Sequence, residues 1–153
     1  MSIRTNVALA LLLTAGIGLQ GHGAERELPW AFKGKAADGY SIDLVSVDPT
    51  PGTPLSPGSE VAFSVSLSYS MSIAPHGRII LVFQDEKNGR VASEPAQVSQ
   101  EVSGPGGTVV LRQTVTIPAH AKELRLFVPL VPDGLTNTSG EVTLRYPITA
   151  KSK

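Results

Sequence analysis

The chain has 153 residues, with 13 Lys and Arg against 13 Asp and Glu, no cysteine and only 5% aromatic residues. A neutral chain lacks the cationic excess that neutralises phosphates, which argues against nucleic acid and against bulk attraction to an anionic membrane. Without cysteine there is no disulfide, thiol nucleophile, thiolate metal site or lipidated cysteine, and the length and the apolar fraction of 41% predict one globular domain.

The chain opens on Met1 to Asn6 with one positive charge at Arg4, and an apolar run follows from Val7 to Leu19. That run is shorter than the roughly 20 residues that span a bilayer, and it has the length of the apolar segment of a secretory signal. Gly21 and Gly23 supply small side chains ahead of a cut, so residues 1–23 are expected to leave as a signal peptide, with cleavage after Gly23 or Ala24. Arg4 leaves and no acid does, so the remaining chain carries a formal charge of −1. It keeps no stable membrane anchor and is expected to be periplasmic or secreted.

Residues 24–39 show neither a helical nor a strand period and are expected as an irregular arm. Trp30 and Phe32 lie in this arm with no evident face to bury. Two readings follow: the rings staple the arm onto the domain, or they form an exposed anchor that contacts a partner.

From residue 40 to 150 short apolar stretches alternate with Gly, Pro, Asn and Asp clusters, which predicts a β-sandwich domain without helices. Ile42 to Val47 is the first strand. The stiff Pro- and Gly-rich loop from Asp48 to Gly58 leads to the clearest one, Glu60 to Met71, where Val61, Phe63, Val65, Leu67, Tyr69 and Met71 alternate with small residues, mostly serine. Period two places one set in a core and the other in solvent. Ile79 to Phe83 is continuously apolar and is expected to be buried on both faces. It runs into Asn88-Gly89, a strong hairpin signal, so Arg90 to Ala92 should return beside it. A weaker strand spans Ala96 to Val102.

Alternation resumes over Val109 to Ile117, interrupted by Gln113, then over Leu124 to Leu130 and Val142 to Ile148. Pro147, and with it Pro129, predicts an edge strand or a donor position that faces solvent. Seven or eight strands in about 110 residues fit an immunoglobulin-like antiparallel β-sandwich, and the class is all-β.

The stretch Leu55-Ser-Pro57-Gly58-Ser-Glu-Val61-Ala-Phe63-Ser-Val65 resembles the turn and second strand of bacterial immunoglobulin-like and fibronectin-III-like domains, in particular the adhesion-related CARDB type. The resemblance implies a sandwich fold with an extracytoplasmic interaction role and assigns no binding residue. Those domains often follow this strand with an Asn-x-Gly turn, where this chain has Ser68-Tyr-Ser-Met71.

Chemistry is sparse. Serine is abundant, and His76 and His120 could act as bases, but no Gly-x-Ser-x-Gly elbow fixes a nucleophile. Asp85 and Glu86 precede a turn and read as a solvated hairpin tip, and the oxygen-rich run Asp133 to Gly140 lacks the spacing of a calcium loop. Asn137-Thr-Ser139 matches a glycosylation sequon. For copper the candidate ligands are His22, Met71, His76 and His120, and none of them stands at ligand spacing. No catalytic residue, metal site or cofactor is therefore assigned. The expectation is an exported, non-catalytic binding or interaction module whose partner is an envelope protein or glycan. A small periplasmic copper-handling protein is the alternative.

Overall fold

The computed structural model describes residues 29–149. The expected signal peptide, His22 and the start of the arm lie outside the described residues. Among the described residues there is no helix, and nine strands follow in chain order. They are β1 (Ala31–Lys33), β2 (Tyr40–Asp48), β3 (Glu60–Met71), β4 (His76–Asp85), β5 (Ser93–Glu94), β6 (Val98–Ser103), β7 (Gly106–Thr116), β8 (Glu123–Pro132) and β9 (Gly140–Pro147). They form two antiparallel sheets, one in the order β1-β9-β8-β4-β6 and the other β2-β3-β7-β5. Only β2–β3 and β8–β9 are consecutive strands paired within one sheet; every other connection crosses to the facing sheet.

The core forms where the alternating apolar positions of the two sheets meet. On β3, Phe63, Val65, Leu67 and Met71 are buried, and they face Ile79, Leu81 and Phe83 of β4 and Leu124, Leu126, Val128 and Leu130 of β8 in one cluster. Phe63 lies at 5.0 Å from the Phe83 ring and 5.2 Å edge-on from Tyr146, an arrangement that suits aromatic quadrupoles. The Tyr146 hydroxyl, pushed up in pKa by burial and secondarily by Asp48, donates to the Pro49 carbonyl at 2.9 Å, so the buried ring keeps its polar tip satisfied.

Several details differ from the sequence expectation, each for a local reason. There are nine strands where seven or eight were expected, because two pieces too short to show a period, β1 and β5, pair with longer neighbours. The arm is thus not irregular throughout: Ala31, Phe32 and Lys33 pair with Leu144, Thr143 and Val142. The apolar run of β4 buries one face only, for Ile80 and Val82 are half-buried between buried Ile79, Leu81 and Phe83. Past the hairpin, Arg90 makes only an isolated bridge to Gln84, with Val91 N–H donating to the Phe83 carbonyl, before the chain crosses to the other sheet. Within the turn only Asn88 takes a positive φ, at 64°.

The two prolines behave differently. Ile148 N–H donates toward β8 and Arg145 N–H toward the arm, so alternation turns position 147 away from β8, where its missing donor leaves no gap in that ladder. Its carbonyl accepts from Leu55 N–H at 2.8 Å. Pro129 lies instead in a central strand, against the edge expectation, and the β4–β8 ladder skips the pairs between Ile79–Leu130 and Val82–Phe127. Gln113, read only as an interruption, points into the core at 4% exposure. Its Nε2 donates to Ser93 Oγ at 2.8 Å and to the Pro95 carbonyl, while Oε1 has no partner.

Candidate functional site

The outer faces of the two sheets differ in chemistry. On the four-stranded sheet, Ser64, Ser66, Ser68 and Ser70 of β3 pair with Arg112, Val110, Thr108 and Gly106 of β7, a face of mostly small hydroxyl side chains on which Val110 stands half-exposed. On the five-stranded sheet, register brings Phe32, Thr143, Phe127 and Val82 into one row across β1, β9, β8 and β4. The neighbouring row is Arg145, Arg125 and Gln84. Directly paired residues share a face, so rings, aliphatic groups and guanidiniums are gathered on this outer surface, where sandwich strands commonly present polar residues.

The arm completes the site. Trp30 lies against Gly52, whose φ of +84° and missing side chain let the indole approach: a Cβ there would stand 2.8 Å from Trp30 Cδ1. On the other side the Arg145 guanidinium sits 5.9 Å from the ring centroid. Lys33, next to Phe32, forms an ion pair with Asp43 of the facing sheet. Trp30 thus acts as the staple of the two readings offered for these rings, retaining 37% exposure, while Phe32 at 51% stands open on the sheet face.

Glu123 organises the arginines. Its Oε1 accepts from Arg125 Nε at 2.6 Å and its Oε2 from Arg145, with the Glu123 side chain 13% exposed. Burial pushes this carboxyl up, but the hydrogen bonds and charges of Arg145 and Arg125 outweigh it and hold the group below the ordinary value of 4.5. One carboxylate therefore fixes two guanidiniums that stand opposite each other across the strands, where like charges would otherwise repel.

Between these groups runs a shallow groove. Its apolar end, about 270 Å³, is lined by Pro29, Phe32, Thr143, Arg125 and Arg145. Sharing Arg125 and Thr143, a polar stretch of about 380 Å³ continues past Phe127 to Gln84, Asn88 and Glu141. Sequence reasoning named Trp30 and Phe32 but missed Arg125, Arg145, Thr143 and Phe127. Their only signal was an outward strand position carrying a large or charged side chain.

The copper candidates are not brought together. His76 starts β4 with Nδ1 3.3 Å from Ser103 Oγ, whereas His120 lies in the β7–β8 turn near the far end of β4, a strand of ten residues and roughly 30 Å. Met71 is buried against Gly77. Among the described residues no three His, Asp or Glu side chains gather closely enough to hold a metal ion. Asp133 and Gly134 form a turn, with Gly134 at φ 78°.

No family model matches the chain, and no curated protein matches it. Among solved structures, two of a glycosyl hydrolase family 2 member from Bacteroides cellulosilyticus are similar, each with a TM-score of 0.51 at 12% identity. They cover 72% of this chain, which spans only 16% and 15% of theirs. At that identity the likeness is one of fold.

Proposed function

We propose that the chain is exported as a periplasmic or secreted, non-catalytic binding module, and that its contact face is the outer face of the five-stranded sheet centred on Phe32. The observation that carries the reading is the contrast between the two outer faces. Half-exposed Phe32 lies in one cross-strand row with Thr143 and half-buried Phe127 and Val82, and lines a groove with Arg125 and Arg145, whereas the opposite face is mostly serine and threonine with half-exposed Val110 among them. Exposed apolar surface with a polar rim marks contact sites more often than chance surface does. The amino-terminal run of residues 1–23, with its short apolar stretch and small residues before the cut, supports export.

The test is retention of envelope components by the mature protein and by Phe32→Ala. A glycan or protein retained by the wild type and lost with the variant is the expected result. Equal retention by both moves the contact elsewhere, and retention by neither removes the reading. N-terminal sequencing of the protein from its native compartment checks export, with Ala24 or Glu25 as the expected first residue.

A further inference from the structure

Asn88-Gly89 is the one place in the chain where an asparagine precedes a glycine; Asn6 precedes Val7 and Asn137 precedes Thr138. Such a pair carries its own chemistry. The Gly89 nitrogen can attack Cγ of the Asn88 side chain and close a five-membered ring, and glycine has no Cβ to hinder the approach. The bond from Gly89 N to Cγ forms, the bond from Cγ to Nδ2 breaks, and the Gly89 proton leaves with Nδ2 as ammonia. Water then opens the imide at either carbonyl, which leaves aspartate or isoaspartate at position 88 and one more negative charge.

We infer that Asn88 is a site of this spontaneous modification and that Asp85, as a positioning residue, sets its rate by holding the attacking nitrogen. Asp85 Oδ1 accepts from Gly89 N–H at 2.7 Å and from Lys87 N–H at 2.8 Å. The main chain closes the same turn, with Asn88 N–H donating to the Asp85 carbonyl at 3.0 Å and Asp85 N–H to the Gly89 carbonyl at 2.8 Å. The turn itself requires the labile pair. Asparagine tolerates the φ of 64° at position 88, and a Cβ at position 89 would stand 2.7 Å from Asp85 Oδ2.

Two properties of the Asp85 contact oppose the attack. The proton that must leave is the one the carboxylate holds, and a carboxylate is far too weak a base to take it from a peptide nitrogen. Its negative charge also disfavours the anionic nitrogen that attacks. The contact must therefore open before the ring can close. On the other side Arg125 Nη1 lies 3.4 Å from Asn88 Oδ1, where its charge favours the oxyanion that forms during attack. The electrophile is ready and the nucleophile is withheld. Conversion adds a carboxylate to the polar stretch that Asn88 lines with Arg125 and Glu141, and isoaspartate also lengthens the main chain inside the turn.

The test follows conversion in mildly alkaline buffer, read as the mass gain on exchange of NH2 for OH in the peptide that holds Asn88 and as isoaspartate at that position. The folded chain beginning at Ala24 is compared with the same chain in urea and with folded Asp85→Ala and Glu86→Ala. The chain in urea should convert fastest, the folded wild type at least about tenfold more slowly, and Asp85→Ala should recover most of that loss. Glu86 accepts from Lys122 N–H at 3.1 Å, so Glu86→Ala loosens the same hairpin tip while leaving the Gly89 contact, and should keep the wild-type rate. Equal rates in the folded and unfolded chain overturn the inference, as does an Asp85→Ala rate equal to that of the wild type or to that of Glu86→Ala. No conversion at Asn88 in urea overturns the site itself. Amide hydrogen exchange of the wild type needs no variant: Gly89 N–H should exchange slowly, and exchange at the unfolded-chain rate overturns the role of Asp85.

Discussion

The backbone N–H of Arg145 donates to the Trp30 carbonyl at 2.8 Å while its guanidinium lies 5.9 Å from the centroid of the Trp30 ring. One residue of β9 thus holds the arm by both main chain and side chain, and the same guanidinium is fixed by Glu123. The arm is a built part of the sheet, and what it builds is the wall of the groove.

Trp30 is the sole tryptophan, so its fluorescence reports this junction directly. Gly52→Ala places a Cβ 2.8 Å from the indole at a φ of +84°, and should lower stability by about 1 kcal/mol or more. Its emission should shift to the red as the ring is displaced. Arg145→Gln should give a smaller red shift, and wild-type emission from both variants would contradict the staple.

Glu123→Gln should lower the unfolding free energy at neutral pH by about 1–3 kcal/mol, because the two arginines lose their charged acceptor. The folded-state pKa of Glu123 is depressed, so its contribution is full above the ordinary value of 4.5 and is lost as pH falls through the folded one. Denaturation of both proteins across pH should therefore give a difference that is constant above about pH 5.5 and shrinks in acid. A difference that grew on acidification would contradict the assignment.

Phe63→Ala empties the centre of the Phe63, Phe83 and Tyr146 cluster and should cost about 3–5 kcal/mol in chemical denaturation. Phe32→Ala on the sheet surface should cost less than about 0.5 kcal/mol. Similar losses from the two would mean that Phe32 is a core residue.

Copper(II) titration of the protein beginning at Ala24 should reveal no stoichiometric site that joins His76 and His120, since the length of β4 separates them. A tight single site lost by substituting either histidine would contradict the register of β4 against β8.

Strand identity was legible wherever a long period-two run existed: Glu60 to Met71 has the same bounds in sequence and structure. Ala31–Lys33 and Ser93–Glu94 were not legible, because two or three residues carry no period and only their partners make them strands. Gln113 broke the apolar pattern yet keeps the inward phase, so composition misread what geometry preserves. Pro129 was expected at an edge or with its donor position facing solvent, because a local rule cannot anticipate a central strand that tolerates a gap in its ladder. The groove was the least legible feature. Phe32, Thr143, Phe127 and Val82 are far apart in the chain, and only the pairing register brings them into one row.

The central claim is that contact occurs through the outer face of the five-stranded sheet, and photo-crosslinking in intact cells tests it most directly. A photoreactive side chain at position 32 samples that face, and one at position 66 samples the serine-rich face of the other sheet. The account predicts a discrete adduct, to a glycan or a protein, from position 32 and none from position 66. Adducts from position 66 alone, or from neither position, would contradict it.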